Sequence, residues 1–187
     1  MRLGRVGFTV IELLIVLVIL GIVLGFAAPK IDVTKLKVES AVQAVGTTLL
    51  ATQRLSITRQ HDVIVLLDQA NEAMRIHEDK DNDGVIDPGE HVRAVPLGEA
   101  IVFGRGTAPA MPIGPGPITF KKLIAGMPAL VFHRDGSASE VGGFYLTSQR
   151  AATTGMRPQD ARAVELERAT GRASWYRYNP PAWRRVF

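Results

Sequence analysis

Residues 4–22 read GRVGFTVIELLIVLVILGI, and this apolar stretch decides what fold the rest of the chain can adopt. From Phe8 to Ala28 the only charged side chain is Glu12, and two arginines precede the run. A helix over these 21 residues would extend roughly 30 Å, the thickness of the apolar core of a bilayer. The stretch therefore predicts a transmembrane helix, with a cleaved secretory signal as the alternative, and the arginines predict a cytoplasmic N-terminus with the remainder exported.

Glu12 is the residue that neither interpretation explains. Burying a carboxylate in hydrocarbon costs about 2.5–3.5 kcal/mol, by analogy with charged residues at the centre of an inserted helix. The side chain either lies shallow and reaches the surface, or it has a cationic partner. The run contains no lysine or arginine. The free amine of a neighbouring chain that begins at Phe8 could supply the charge.

Residues 7–12, GFTVIE, carry a specific resemblance. A short basic leader, a glycine, a phenylalanine, a glutamate at the fifth following position and an unbroken apolar run resemble the class III prepilin signature of type IV pilins and type II secretion pseudopilins. The resemblance implies that a prepilin peptidase cuts between Gly7 and Phe8 and that Phe8 is N-methylated. It also implies that Glu12 aligns each subunit with its neighbour during assembly.

Three further stretches resemble minor subunits of the GspH/FimT type. They are TTLLATQRLSITRQHDVIVLLD (47–68), VFHRDGSASEVGGFYLTS (131–148) and ARAVELERATGRASWYRY (161–178). The resemblance implies a minor pseudopilin, a structural subunit of the type II secretion pseudopilus that assembles by helix bundling. The alternative is a minor type IV pilin of a pilus or a DNA-uptake machine. In both cases the implied partners are other pilins or pseudopilins in a hetero-oligomeric filament, the prepilin peptidase and the inner membrane.

The resemblance also implies a domain organisation and a fold class. The chain would consist of a leader (1–7), a transmembrane and filament-core helix (8–29) and an exported, periplasmic domain (30–187). That domain would have an amphipathic helix over about 30–59 and a β-rich part over 60–187. The fold class is α+β and type IV pilin-like: a long N-terminal helix, transmembrane in its first half and amphipathic in its second, packed on antiparallel β-sheets.

Periodicity supports a second helical segment after Pro29, where the family kinks its helix and where proline removes one backbone donor. Apolar residues recur at spacings of three and four, which predicts one buried helix face. That face consists of Val38, Ala41, Val42, Val45, Leu49 and Thr52.

After residue 60 the period changes to that of short strands separated by Gly, Pro or Asp. Nine strands are predicted: 63–67, 74–77, 91–95, 100–103, 118–123, 130–133, 144–147, 163–167 and 174–178. Residues 104–117, GRGTAPAMPIGPGP, predict a mobile surface loop without regular structure.

Residues 79–90, DKDNDGVIDPGE, fit the loop template of an EF-hand. Calcium prefers six to eight oxygen ligands in a flexible ring. The candidate ligands are five carboxylates and one main-chain carbonyl: Asp79, Asp81, Asp83, Val85, Asp87 and Glu90. The alternative is a solvated acidic hairpin tip, since the flanking segments are predicted to be strands rather than helices.

Composition and motifs argue against an enzyme. The chain has no cysteine, which excludes disulfides and thiolate catalysis. Its four histidines are scattered along the sequence, and it contains no HExxH, GxSxG or phosphate-binding loop. The net charge of +4 is too small to indicate a nucleic-acid-binding protein by itself.

The C-terminal residues 168–187 contain five arginines, five aromatic side chains and no acid. Basic groups alternating with aromatic rings suit the backbone and bases of nucleic acid. The alternative, which we favour, is that the aromatic residues complete the core and that the arginines are solvated or contact a neighbouring subunit. Nucleic-acid binding through Arg168–Phe187 is therefore the minor hypothesis.

Overall fold

The computed structural model describes residues 8–27 and 33–186. The chain divides into two compact units, Met1–Val33 and Thr34–Phe187, and each is described by itself. The expected leader, with Gly7, and the expected kink at Pro29 lie outside the described residues.

The described part of the first unit contains the helix α1, at Val10–Ala27. The hydroxyl of Thr9 accepts a hydrogen bond from the backbone N–H of Glu12 at 3.3 Å. This contact has the geometry of an N-cap, in which a Ser or Thr oxygen satisfies a free donor of the first helical turn. Glu12 lies in that first turn, where the helix dipole favours a negative charge.

The fold class expected from the sequence, with one long N-terminal helix that is transmembrane in its first half, is wrong. α1 has 18 residues, about 27 Å of helix, whereas a span takes about 20 predominantly apolar residues. The other long helix of the described residues, α2 at Val33–Arg59, carries several charged side chains. Within the described residues, therefore, no helix is both long and apolar enough to cross a bilayer.

In the second unit, α2 buries one face. The predicted apolar face is confirmed, and Thr48 and Ser56 extend it. Two of the three buried hydroxyls of α2 donate hydrogen bonds within the helix. Thr52 donates to the carbonyl of Thr48 at 2.8 Å, and Ser56 donates to the carbonyl of Gln53 at 2.8 Å.

Two five-stranded antiparallel sheets make up the rest of this unit. The first has the order β3-β2-β1-β6-β5 and the second has the order β10-β9-β8-β7-β4. Their strands are β1 Asp62–Asp68, β2 Ala73–Asp79, β3 Val92–Pro96, β4 Ile101–Phe103, β5 Leu123–Ile124, β6 Met127–Phe132, β7 Gly142–Ser148, β8 Arg162–Leu166, β9 Ala173–Asn179 and β10 Ala182–Arg185. A short helix, α3 at Gln149–Thr154, and a 3₁₀ turn, Pro158–Asp160, connect β7 to β8.

The main core combines α2 with apolar residues of both sheets. A charged contact also joins α2 to the second sheet: the Glu39 carboxylate accepts from Arg162 at 2.6 Å and from Arg177 at 2.7 Å. A smaller apolar cluster on the first sheet, built around Ile64 and Val131, is covered by Ile86 of the acidic loop.

Residues 118–123 do not form the strand that was predicted. The Glu140 carboxylate accepts hydrogen bonds from the backbone N–H groups of Lys121 and Lys122, which a strand would direct to a neighbouring backbone. Regular pairing begins only at β5.

Residues 104–117, all of them described, contain no helix and only one isolated bridge. The Tyr145 hydroxyl ties this segment down, because it donates to the Gly114 carbonyl and accepts from the Met111 N–H, both at 2.8 Å.

Candidate functional site

The expected processing and assembly residues lie at the start of α1. Gly7 is outside the described residues, while Phe8 is 80% exposed. Within residues 8–27 and 33–186, the Glu12 carboxylate makes no ion pair or side-chain hydrogen bond. Its backbone contact with Thr9 is a local cap and gives the charge no partner. The roles of Phe8 and Glu12 in methylation and assembly stay predictions.

The surface of α1 is apolar on every side. All side chains from Phe8 to Gly25 are exposed, and the leucine, isoleucine and valine side chains of residues 10–24 have exposed fractions between 47% and 84%. Contiguous apolar surface of this extent marks a site of contact with another apolar surface. The surface of α1 is therefore of the kind that contacts another apolar surface.

The acidic loop brings three of its predicted calcium ligands together. Asp79, Asp81 and Asp83 can each place one carboxylate oxygen within 4.8 Å of the others. Asp79 is only 1% exposed, and its oxygens accept from the N–H groups of Asp83 and Gly84 at 3.2 and 2.9 Å. Burial raises the pKa of Asp79, and its contact with the Asp81 side chain raises it further. A cation would relieve this cost.

The remaining predicted ligands do not join that group. Glu90 closes the loop instead, since its carboxylate accepts from the N–H groups of Lys80 and Asp87, both at 3.2 Å. The pKa of Asp87 is raised by desolvation and by the nearby carboxylates of Asp83, Asp81 and Glu90. Val85 donates its N–H to Asp83. The arrangement is a partly assembled set of oxygen ligands, and its occupancy stays a prediction.

Three aromatic residues of the C-terminal segment, Trp175, Tyr178 and Trp183, pack within the protein. Trp175 and Tyr178 are 5% and 9% exposed. The ring of Trp183 packs against that of Tyr178 in a tilted arrangement, with 5.4 Å between centroids, and its indole N–H donates to the Pro109 carbonyl. Among the arginines, Arg177 pairs with Glu39. This arrangement favours the structural interpretation of Arg168–Phe187 over nucleic-acid binding.

One cluster was not predicted from the sequence, in which the histidines are scattered. Glu78 lies 3.4 Å from His61 and 3.5 Å from His91, measured from carboxylate oxygens to ring nitrogens. These residues are far apart in sequence, and strand register brings them together. The positions of these residues in the sequence were the one indication of the cluster. His61 comes just before β1, and Glu78 and His91 flank the acidic loop.

Comparisons with protein-family models, with curated proteins and with solved structures found no match.

Proposed function

We propose that the chain is a minor pseudopilin, a structural subunit of a type II secretion pseudopilus that joins its neighbours through α1. The observation that carries the proposal is the surface of α1, where the leucine, isoleucine and valine side chains are exposed on all sides of the helix. The GFTVIE signature at residues 7–12 indicates that the assembly is a pseudopilus.

The shape of the apolar surface determines the number of partners. A helix that contacts one neighbour needs only a stripe of apolar side chains, whereas a helix that is apolar all round is buried on all sides. Each Å² of apolar surface removed from water contributes about 25 cal/mol. A bundle of several α1 helices, one from each subunit, satisfies this requirement.

Glu12 gives the bundle its register within this proposal. Once α1 is enclosed by apolar neighbours, the carboxylate loses its solvent and needs a cation. Cleavage after Gly7 creates an amine at Phe8, four residues from Glu12. The amine of one subunit then pairs with the Glu12 carboxylate of the next, which fixes the axial offset between the two.

The remaining partners and the location follow from the same proposal. A prepilin peptidase would remove residues 1–7, and assembly would start at the inner membrane. The unit that contains α2 and the two sheets would lie on the exported side. The alternative, a minor type IV pilin with a DNA-binding C-terminal segment, has less support because Trp175 and Tyr178 are buried and unable to stack on bases.

Site-directed cross-linking tests the assembly, because the chain has no cysteine of its own. The full chain carrying Leu17→Cys should form disulfide-linked dimers when it is produced with a prepilin peptidase and partner subunits. The Thr58→Cys variant, at an exposed position of α2, is the matched control and should form few.

Adding Glu12→Ala to Leu17→Cys should abolish the dimers, whereas adding Glu99→Ala, which removes an exposed acid elsewhere, should not. Intact mass should show the loss of residues 1–7. Equal cross-linking at residues 17 and 58, or undiminished cross-linking without Glu12, would disprove the bundle.

A further inference from the structure

We propose that the exposed side of α2, together with the cleft beside it, is a docking surface for an amphipathic helix of another protein subunit, one whose apolar face is flanked by acidic side chains. The surface consists of a seam along α2, formed by Leu36, Gln43, Leu50 and Ile57, and of the cleft between α2 and the start of β9. It is separate from α1 and would be used whether or not α1 joins a bundle.

Exposed apolar side chains recur along α2 at the period of a helix–helix contact. Leu36, Leu50 and Ile57 are 61%, 48% and 43% exposed, and they are spaced by multiples of seven residues. Gln43 occupies the position between Leu36 and Leu50 in this row. Positions seven residues apart stay on one side of a helix, with a drift of only about 20° per heptad. The seam is therefore of the kind that packs against a second helix.

The seam points away from the core of its own unit. Val38, Val45 and Thr52, each two residues after a seam position, are almost fully buried. Two residues turn a helix by roughly 200°, so the buried row and the exposed seam lie on opposite sides of α2. The sheets therefore cover the first row and leave the second exposed.

The cleft beside the seam has the dimensions of a binding site. Its volume is about 600 Å³, and ligand sites have volumes of roughly 300–1,000 Å³. Gly46 and Leu50 of α2 line it, as do Ala173 and Trp175 of β9. A Cβ atom at Gly46 would lie 3.0 Å from the ring of Trp175, so the glycine leaves the way to that ring open. A helix that packs along the seam can insert a large apolar side chain here, as in the helix-in-groove mode of recognition.

The charge around the seam specifies the chemistry of the partner. α2 carries four basic side chains, and its one acid, Glu39, already pairs with two arginines of the second sheet. Arg54 lies on the seam side of α2, and Arg172 lines the cleft. Both are exposed, and neither makes an ion pair with the residues that the structure describes. A helix whose apolar face is flanked by Glu or Asp would pair with them, since complementary charges set the choice of partner.

Two other occupants fit the surface less well. A second copy would meet it with the same surface, as in a two-fold dimer, and would place basic side chains against basic side chains. An anionic lipid surface would match the charge, but a flat bilayer would leave the cleft that reaches Trp175 unfilled.

Protection of a cysteine from chemical modification tests the proposal, since the chain has no cysteine of its own. The full chain in detergent carries Thr47→Cys, at an exposed position that lines the cleft, and reacts with a water-soluble maleimide. The probe is a synthetic helical peptide with leucine at the a and d positions of its heptads and glutamate at e and g. At about ten times its Kd the peptide should slow the reaction about tenfold, because the free fraction of the site falls by the factor 1 + [L]/Kd.

Matched variants and a second peptide provide the controls. The peptide should leave the reaction of Leu123→Cys unchanged, because this exposed position on β5 is outside the seam. A peptide with lysine at e and g should protect neither position. Adding Leu50→Glu to Thr47→Cys should abolish the protection, and adding Arg54→Glu should make the lysine peptide the better protector. Leu50 and Arg54 are both exposed, so urea unfolding of these variants should match that of Thr47→Cys alone.

Three results would overturn the proposal. Protection of Thr47→Cys by micelles that contain anionic phosphatidylglycerol, without peptide, would assign the surface to the membrane. A reaction that slows as the protein concentration rises, again without peptide, would assign it to a second copy. Equal protection by the glutamate and lysine peptides, or protection by neither, would mean that the surface does not select an acidic helix.

Discussion

The two long helices of this chain use apolar residues in opposite ways. α2 has one buried face, on which Val45 and Leu49 are 1% exposed each, and it leaves the apolar side chains of Val33, Leu36, Leu50 and Ile57 exposed. α1 is richer in apolar residues, yet Leu17 and Ile22 are 60% and 55% exposed. The difference teaches that an apolar face opposite a more polar one can be buried by the sheets of the same unit, whereas a helix that is apolar on all sides keeps most of its apolar side chains exposed.

The largest expected effect on stability is the difference between matched leucine-to-alanine substitutions in α2 and in α1. Leu49→Ala should lower the free energy of unfolding by about 2–5 kcal/mol, because it leaves a cavity in the main core. Leu17→Ala removes the same atoms from an exposed position and should change that free energy by less than about 0.5 kcal/mol. Urea unfolding followed by tryptophan fluorescence measures both, since the two tryptophans, at 175 and 183, lie outside α1. Equal losses would refute the comparison.

Calcium should stabilise the unit that contains α2 and the sheets, through residues 79–90. An ion that binds only the folded state raises the free energy of unfolding by about 2.7 kcal/mol when its concentration is a hundredfold above Kd. The melting temperature of the full chain should therefore rise with calcium relative to a chelator, and Asp81→Ala and Glu90→Ala should lose the rise. Extracellular calcium modules have Kd values of roughly 10⁻⁴–10⁻³ M, so identical melting curves at about 10 mM would mean that the loop is only a solvated acidic turn.

Acidification should weaken the same unit through His77, whereas α1 contains no histidine. Burial lowers the pKa of His77 below its ordinary value of 6.5; nearby Glu90 opposes the shift and Arg75 adds to it. The unfolded chain therefore takes up a proton first as the pH falls. The contribution of His77 to the free energy of unfolding is fully present above pH 6.5. It declines as the pH falls from 6.5 to the lowered pKa of His77 in the folded state.

Titration of the single group His77 lowers the free energy of unfolding by at most about 1.4 kcal/mol per pH unit. Urea unfolding between pH 7.5 and 5 measures it, and His77→Gln should have a flatter profile than the wild type. An unchanged slope in this variant would assign the effect to other groups.

The smallest effect concerns one glycine in each helix. A Cβ atom at Gly46 of α2 would lie 3.0 Å from the Trp175 ring, whereas Gly21 of α1 has nothing within 4 Å. Alanine improves helix propensity by about 1 kcal/mol at both positions, but overpacking against a buried ring costs about 1–3 kcal/mol. Gly46→Ala should therefore lose about 1 kcal/mol in urea unfolding, and Gly21→Ala should lose nothing. A stabilised Gly46→Ala variant would show that Trp175 can move aside.

The elements that depend on local pattern were predictable from the sequence. The buried face of α2 followed from apolar spacing, because a helix repeats every 3.6 residues and the core selects one side. Most strands were located for the same kind of reason. The loop at 79–90 was recognisable as a ligand set from alternating aspartates, and three of them do lie together.

The features that depend on long-range pairing were not predictable. The length of α1 was overestimated, because an apolar run shows where a helix can form and not where it ends. The strand expected at 118–123 failed because Glu140, from another part of the chain, accepts the backbone donors of Lys121 and Lys122. The grouping of His61, Glu78 and His91 follows from strand register, which no local pattern encodes.

The side-chain amide nitrogen of Gln53, in α2, donates hydrogen bonds to two turns of the protein. Its Nε2 atom donates to the carbonyls of Gly136 and Thr170, both at 2.7 Å. A Cβ atom on Gly171 would lie 2.5 Å from that nitrogen and 2.2 Å from the Gly136 carbonyl oxygen. In evolutionary terms, a side chain at position 171 would require the side chain at 53 and the backbone at 136 to move. In any relative with this arrangement, substitutions at 53, 136 and 171 should be correlated, and that correlation would identify relatives whose other residues have diverged.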